Sequence, residues 1–332
     1  SAASDVYKRQ DIAAAAGVSV STASRSLAGN PAISEKTRAK VMSIAQQLNY
    51  LPNAQARALR NSRSDAIGLI IPNLDNAYFA AMAAAVEEEA NKRKLSTIIT
   101  SCGEDPERLT KALDTLSQRQ VDGIISVPLE GAEDALQRAA ESRPLILIDR
   151  SLKNLPAVVS NPITGIHAAV AQLKSKGHTS IGYLSGPQET STGRERLNAF
   201  KDATTGMDIH IHHGSFRHRS GYKGAIALLQ EGVTAIVAGD SMMTAGALEA
   251  CHNAGKRIGE EIALVGFDDF IFLRFQPAPI SVIDQNVTRM GEEATARLVD
   301  AIDNKRQPES TVIDTRYIPR MSTAYRFPGE LT

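Results

Sequence analysis

Only two cysteines, Cys102 and Cys251, occur in the 332 residues, so no disulfide framework holds this chain together and a reducing compartment suits it. Long apolar runs are also missing. The longest, such as Phe79–Val86 and Ala66–Pro72, fall far short of the roughly 18 residues a membrane span requires. Lys8 and Arg9 are not followed by the apolar core of a secretion signal, so a cytoplasmic protein without a membrane partner is expected. Nor is there a nucleophile elbow, a phosphate-cradling glycine loop or a supported pair of catalytic carboxylates. The chain therefore reads as a non-enzyme with no cofactor.

What is present is an ordinary balance of 42% hydrophobic and 22% charged residues, enough to bury a sizeable core. The length suits two or three folded units. The net charge of zero hides an asymmetry. Residues 1–60 hold eight basic side chains (Lys8, Arg9, Arg25, Lys36, Arg38, Lys40, Arg57, Arg60) against Asp5, Asp11 and Glu35, a charge of +5, which leaves the remainder at −5. A small basic head on a larger acidic body suits a polyanion partner, although charge alone fits an ordinary solvated patch about as well.

From Ala66 onward, short β-branched runs alternate with helical stretches. Strands are expected at Ala66–Pro72, Ser96–Ser101, Gly123–Pro128 and Leu145–Asp149, with helices at Asn76–Arg93, Pro106–Gln120 and Ala132–Ser142. The alternation restarts after Ser160. Helices are expected at Ile163–Lys176, Gly193–Ala203, Gly221–Gln230 and Met242–Ala254, and strands at Ser180–Ser185, Ile209–His213, Ala235–Ala238 and Ala263–Phe267. Two rounds of this pattern imply two doubly wound parallel-sheet α/β subdomains, with a crossing near Ser160–Asn161.

The first sixty residues carry no strand signal. A helix over Asp11–Ala16, a turn at Gly17 and a second helix from about Ser19 have helix-turn-helix spacing, the small Ala16 and Gly17 letting the two helices meet closely. Ser34 opens a third helix whose apolar face includes Val41, Ile44, Ala45 and Leu48, and Pro52 stops it. Asn53–Arg60 reads as a short isolated helix, followed by a polar linker.

Three stretches together give the chain its resemblance. They are Asp11-Ile-Ala-Ala-Ala-Ala-Gly-Val-Ser-Val-Ser-Thr-Ala-Ser-Arg25, Leu48-Asn-Tyr-Leu-Pro-Asn53 and Val265-Gly-Phe-Asp-Asp269. In this order and spacing the sequence resembles the lactose-repressor family of bacterial transcription regulators over essentially its whole length. The resemblance implies an all-α helix-turn-helix headpiece (1–52), a hinge helix and linker (53–64) and a periplasmic-binding-protein-like core (65–332). The core would divide into 65–160 plus about 287–314, and 161–286 plus about 315–332.

By that resemblance Val20 and Ser21 occupy the two recognition-helix positions that distinguish operators. Ser24 and Arg25 lie one turn on, with Arg25 suited to guanine through its planar fork. Thr22, Ser34, Thr37, Tyr50 and Asn53 match phosphate-contacting or head-positioning residues; for Ser34 and Thr37, helix capping is the alternative. Leu59 would be the apolar wedge in the minor groove, and Ala56 lets two hinge helices approach. Too short to be stable alone, the hinge should form only when two copies pair on DNA. The chain departs from the family pattern at Lys8-Arg9-Gln10-Asp11, where a Thr, an apolar residue, a variable one and Asp are usual. It departs again at Ala23, where a larger valine is common, implying a slightly underpacked head.

In the core, Asn76-Ala-Tyr-Phe79 resembles the family's Asn-Pro-Tyr/Phe-Phe signature with the proline replaced. Tyr78 and Phe79 suit stacking on a sugar or base, and Arg196 matches the family's ligand-gripping arginine. Asp240 and Asp268 follow strands, where carboxylates accept ligand hydroxyl protons. Asp149, Phe216 and Gln285 fall at further pocket positions. An arginine, carboxylates and aromatic faces suit a polyhydroxylated ring, with a structural salt-bridge network as the alternative. A pentose such as ribose is expected, or else a nucleoside or purine, since the set also resembles that of purine-responsive members.

His210, His212, His213 and His218 crowd one segment, but no cysteine or converging carboxylate joins them, and no metal site is expected. The expected function is a ligand-responsive transcriptional regulator and repressor, a homodimer on a pseudo-palindromic double-stranded operator. No leucine heptad follows Phe327–Thr332, so no tetramerisation element is expected. The rivals are a soluble sugar-binding protein without a regulatory role, disfavoured by the basic head, and an enzyme of the same α/β class.

Overall fold

Residues 2–16 hold neither glycine nor proline and five of the first eleven are good helix formers or alanine, so the first helix runs without a break. The computed structural model describes residues 2–48, 50 and 63–324 and divides the chain into two units, Ser1–Asp65 and Ala66–Thr332. Helix α1 spans Ala2–Ala16, α2 Val20–Leu27 and α3 Glu35–Gln47. The sequence pattern started α1 only at Asp11; the helix instead continues upstream through Lys8–Asp11, because nothing in that stretch breaks it. Gly17 serves the turn in a different way from the one expected. Its φ is +67°, and a Cβ there would touch nothing within 4 Å, so it is the left-handed backbone that requires glycine rather than close helix packing. Ile12, Ala13, Ala16, Ala23, Val41, Ala45 and Tyr50 form the small core, with Ala23 fully buried.

In the second unit, β1 (Ala66–Ile71), β2 (Ser96–Ser101), β3 (Gly123–Ser126), β4 (Leu145–Ile148), β5 (Ala157–Asn161) and β11 (Thr311–Asp314) form one sheet. Its order is β11-β5-β4-β3-β1-β2, parallel throughout. The other sheet is β12-β10-β9-β8-β6-β7, built from β6 (Ser180–Ser185), β7 (Asp208–His213), β8 (Ala235–Ala238), β9 (Ala263–Phe267), β10 (Ser281–Asp284) and β12 (Arg316–Ile318). It is parallel except at the β10–β12 edge. Helices cover both faces of each sheet, as the near-continuous burial of strands such as Ile67–Ile71 demands. Ser160 and Asn161 end β5, directly before the crossing. The chain leaves the first sheet after Asn161, returns between β10 and β11 and leaves again before β12.

The helices that matter for function are α4 (Ala77–Lys92), α8 (Ser191–Ala203), α9 (His218–Gln230) and α10 (Ser241–Asn253), each following a strand's carboxyl end. Between them lie α5 (Pro106–Gln118), α6 (Glu133–Ser142) and α7 (Ile163–Ser175), and later α11 (Ile271–Arg274) and α12 (Val287–Asn304). In each sheet the first strand lies between the second and third, which creates a topological switch point where ligands bind in open α/β sheets.

Candidate nucleic-acid interface and effector cleft

In the headpiece, Ser19 caps α2, its hydroxyl accepting from Thr22 N at 3.1 Å, and the two hydroxyls lie 2.9 Å apart. The cap fixes the first turn of α2, which buries Ala23 and Ser26 and turns Val20, Ser21 and Arg25 to solvent. Val20 is 44% exposed, a large apolar side chain left uncovered at the helix start. Thr22 and Ser24 are half-buried. Ser34 caps α3 in the same manner, its Oγ 3.3 Å from Thr37 N and 2.8 Å from the Thr37 hydroxyl. Tyr50 is buried, and its hydroxyl accepts from Arg9 Nε at 2.8 Å, tying the chain three residues past α3 back to α1. Asn53, Ala56 and Leu59 lie outside the described residues.

The eight core residues singled out from the sequence, Tyr78, Phe79, Asp149, Arg196, Phe216, Asp240, Asp268 and Gln285, line one cleft of about 310 Å³. Most follow strand ends or begin helices, while Arg196 lies in the second turn of α8. Asn76 caps α4 by accepting from Tyr78 N at 3.0 Å, which seats Tyr78 and Phe79 on the first turn. Both rings are almost wholly buried and meet edge to face, so they wall the cleft more than they project into it. Tyr78 donates to Asp149 Oδ1 at 2.8 Å, and burial with the nearby carboxylates pushes its phenol well up, keeping it a donor.

Asp149 and Asp268 sit at matching places, directly after β4 and β9, both with left-handed backbone (φ +71° and +64°). Their backbone N–H groups bond in the same way to the next strand of each sheet, at Val158 O and Ile283 O. Aspartate tolerates this conformation at a cost on the order of 1 kcal/mol, which the flanking ladder offsets. Gln285 links the two sheets. Its Oε1 accepts from Ser160 Oγ at 2.8 Å and from Arg196 Nη2 at 2.7 Å, while its Nε2 donates to Asp268 Oδ1 at 2.8 Å. Arg196 also donates to Gly239 O at 2.8 Å and lies over the Phe267 ring at 4.3 Å.

Asp240 plays two parts, capping α10 through Met243 N at 2.8 Å while lining the cleft. Burial pushes its carboxyl up to about 6, against the pull of the helix-start N–H groups and Arg196. Burial drives Asp268 up to about 7 despite Arg196 and the Gln285 amide. Three buried carboxyl groups thus share the cleft with Arg196, whose terminal nitrogens are already hydrogen-bonded.

Sequence reasoning missed, among other lining residues, the pair Arg150 and Glu104. Arg150, fully buried beside Asp149, binds Glu104 with two parallel bonds of 3.0 and 2.8 Å. Its guanidinium carbon lies 5.9 Å from the Phe216 ring centroid, and that of Arg196 lies 5.8 Å away, so one ring stands near two cations. The available signal was an arginine directly after a strand-end aspartate, Ile148-Asp149-Arg150. Phe216 can lie there because residue 186 is glycine: a Cβ would come within 2.1 Å of the ring. The second aspartate of the Val265–Asp269 motif is structural, holding Arg274 at 2.8 Å and Arg320 at 2.6 Å.

Contrary to the expectation that no carboxylate joins the histidines, His210 bonds Glu231 at 2.6 Å and Asp208 at 3.1 Å, and His218 pairs with Glu249 at 2.9 Å, each brought in by a neighbouring strand or helix or, for Asp208, the same strand face. Among the described residues no group of side chains is arranged to hold a metal ion, and no helix is long and apolar enough to cross a membrane.

Comparison with known proteins bears on both units. Residues 9–53 match the family model of bacterial regulatory proteins of the lacI family, and residues 170–323 match that of periplasmic binding protein-like domains. The chain is 31% identical to the ribose operon repressor of Haemophilus influenzae, over 92% of this chain and 94% of that protein. It is 30% identical to the transcriptional repressor PurR of Klebsiella pneumoniae, over 95% of this chain and 96% of the relative. The lac repressor dimer bound to operator and the anti-inducer ONPF superposes with a TM-score of 0.85 at 26% identity, covering 94% of this chain and 98% of that one. With a helix-turn-helix head ahead of a two-sheet core, and relatives of this identity along nearly its full length, the chain belongs to the lacI family of bacterial regulatory proteins and is a ligand-responsive transcriptional repressor of that family.

Proposed function

We propose that this repressor is controlled by an uncharged pentose such as ribose, bound in the cleft between the two sheets. The observation that carries the reading is the buried ring of acceptors and donors, Asp149, Asp240, Asp268, Arg196 and Gln285, which suits a ring bearing hydroxyls on every side. The likeness to a ribose operon repressor supports the same class. Residues 1–52 serve as the headpiece, 53–64 as the hinge and 65–332 as the effector-binding and dimerisation core, with two copies on a pseudo-palindromic operator. Val20, Ser21 and Arg25, exposed on α2, read base edges. Ser24 lies beside Arg25 on the same helix, Thr22, Ser34, Thr37, Tyr50 and Asn53 contact or position phosphates, Ala56 lets two hinge helices approach and Leu59 works in the minor groove. The protein acts in the cytoplasm and turns nothing over.

Ligand affects operator affinity only through its differential affinity for two states of the core. The test is a thermal-shift panel of pentoses, hexoses and purine bases on the full chain, followed by operator binding with and without the hit. A shift with ribose and a change of operator affinity at saturation are expected. A shift with hexoses alone, or an unchanged operator affinity, overturns the reading. A second reading, a free purine base in place of the sugar ring, draws on the likeness to PurR and on the Phe216 face beside Arg196; a shift with purines alone selects it.

A further inference from the structure

Away from the cleft, helices α5 and α6 flank a hollow of about 190 Å³ that shares no residue with it. From α5 come Thr110, Leu113, Asp114 and Ser117, and from α6 come Ala135, Arg138, Ala139 and Ser142. Both sets follow the i, i+3, i+4, i+7 spacing of a single helix face, so the two faces look at one another across the space. We propose that this hollow is a second small-molecule site, which takes the zwitterion of an amino acid with an apolar side chain. The site is independent of whatever fills the cleft.

Charge placement carries the first half. Asp114 and Arg138 stand exposed on opposite helices of the hollow, and among the described residues neither side chain makes an ion pair or a hydrogen bond. Opposite charges that line one space without touching leave a gap that an ammonium and a carboxylate on one carbon would bridge. A second guanidinium in the lining is already occupied: Arg143 donates to Val121 O at 2.8 Å and to Ser117 Oγ at 3.0 Å. Arg138 is thus the cation left for a carboxylate, and its planar fork can hold both oxygens. With one anion and one cation to satisfy, a zwitterion fits better than a net anion such as phosphate.

The floor and the volume carry the second half. Leu113 on α5 and Ile124 on β3 are almost wholly buried beneath the hollow, and the short side chains of Ala135 and Ala139 leave room above them. An apolar base under a charged rim suits a branched aliphatic side chain below the ammonium and carboxylate. The space is smaller than the roughly 300 Å³ at which pockets for drug-sized ligands begin, which favours a molecule of the size of leucine or valine.

The test is titration calorimetry of the full chain with L-leucine, L-valine, L-leucinamide, which lacks the carboxylate, and 4-methylpentanoate, which lacks the ammonium. Leucine or valine is expected to bind with a Kd of about 1 mM or tighter, and leucinamide and 4-methylpentanoate about tenfold more weakly or worse. Asp114→Asn should bring leucine down to the level of 4-methylpentanoate, and Arg138→Gln should bring it down to that of leucinamide. Both residues are exposed, so the variants should keep the parent's unfolding midpoint. Leucine affinity should be unchanged in Asp268→Asn, where the altered group lies in the cleft. No saturable heat from either amino acid, equal binding of the truncated analogues, an affinity unmoved by Asp114→Asn or by Arg138→Gln, or one that falls in Asp268→Asn overturns the proposal. None of these outcomes bears on the sugar reading, which the ribose titration decides separately.

Discussion

At the scale of single residues, the cleft is a problem in placing like charges. Asp268 has a carboxyl raised to about 7 from an ordinary value near 4, so the folded state binds a proton more tightly than the unfolded state. Stability from this group is therefore present at low pH and lost as pH climbs from about 4 through about 7, then flat above. Asp268→Asn removes that loss. It should raise unfolding stability at pH 8 by about 2–4 kcal/mol relative to the parent and change it little at pH 4, as denaturant titrations at the two values will read. Ligand hydroxyls favour the ionised form, so effector binding near pH 6.5 should release protons, seen as binding heats that vary with buffer ionisation enthalpy. Equal heats in all buffers would contradict this. Arg196→Ala leaves Gln285 and the facing carboxylates without their cation. It should destabilise the core by about 3 kcal/mol and abolish the effector response while operator binding persists below the lowered melting point. Tyr78 and Phe79 at a helix start and Asp240 and Asp268 at strand ends were legible from chain position, whereas Asp149, Arg196, Phe216 and Gln285 were placed by the family resemblance. Arg150 and Glu104 were legible from neither: they pair across 46 positions with no local spacing to betray them.

At the scale of elements, short caps and turns decide whether the head holds together on a core that numbers seven buried apolar residues among the described ones. Ser19→Ala should cost about 1 kcal/mol by releasing the N-terminal turn of α2. Gly17→Ala should cost a similar amount, since φ there is +67°. Amide hydrogen exchange should show the loss concentrated in α2, and uniform loss across the head would refute the cap argument. Strands with unbroken apolar runs, such as β1 and β8, were visible from the sequence. β5, β10, β11 and β12 were not. They are three to five residues long, carry polar residues such as Ser160, Asp284 and Arg316, and gain their identity only from neighbours on either side of a chain crossing. The helix boundaries moved by one to three residues where caps intervened: Thr190 starts α8 at Ser191, and Asp240 starts α10 at Ser241.

At the scale of the whole molecule, the basic head and acidic body make a definite electrostatic forecast. With +5 on residues 1–60 and −5 on the rest, affinity for any duplex should fall steeply with salt, by about 10³-fold or more between about 50 and 200 mM for six or more neutralised phosphates. Fluorescence anisotropy on operator and scrambled duplexes should give similar slopes, because phosphate contacts carry no sequence information. Removal of residues 1–60 should abolish binding altogether, and retention would place the DNA-binding surface elsewhere.

The matched aspartates after β4 and β9 have a mechanical consequence. Each sheet presents a carboxyl group from its fourth strand toward the shared cleft, so drawing the sheets together without a ligand should crowd two acidic groups into a drying space. Closure without a donor between them is expected to be opposed, as a compressed spring opposes its load. A ligand that donates to both carboxylates turns the spring into a clasp, and the pH of the surrounding solution sets its tension.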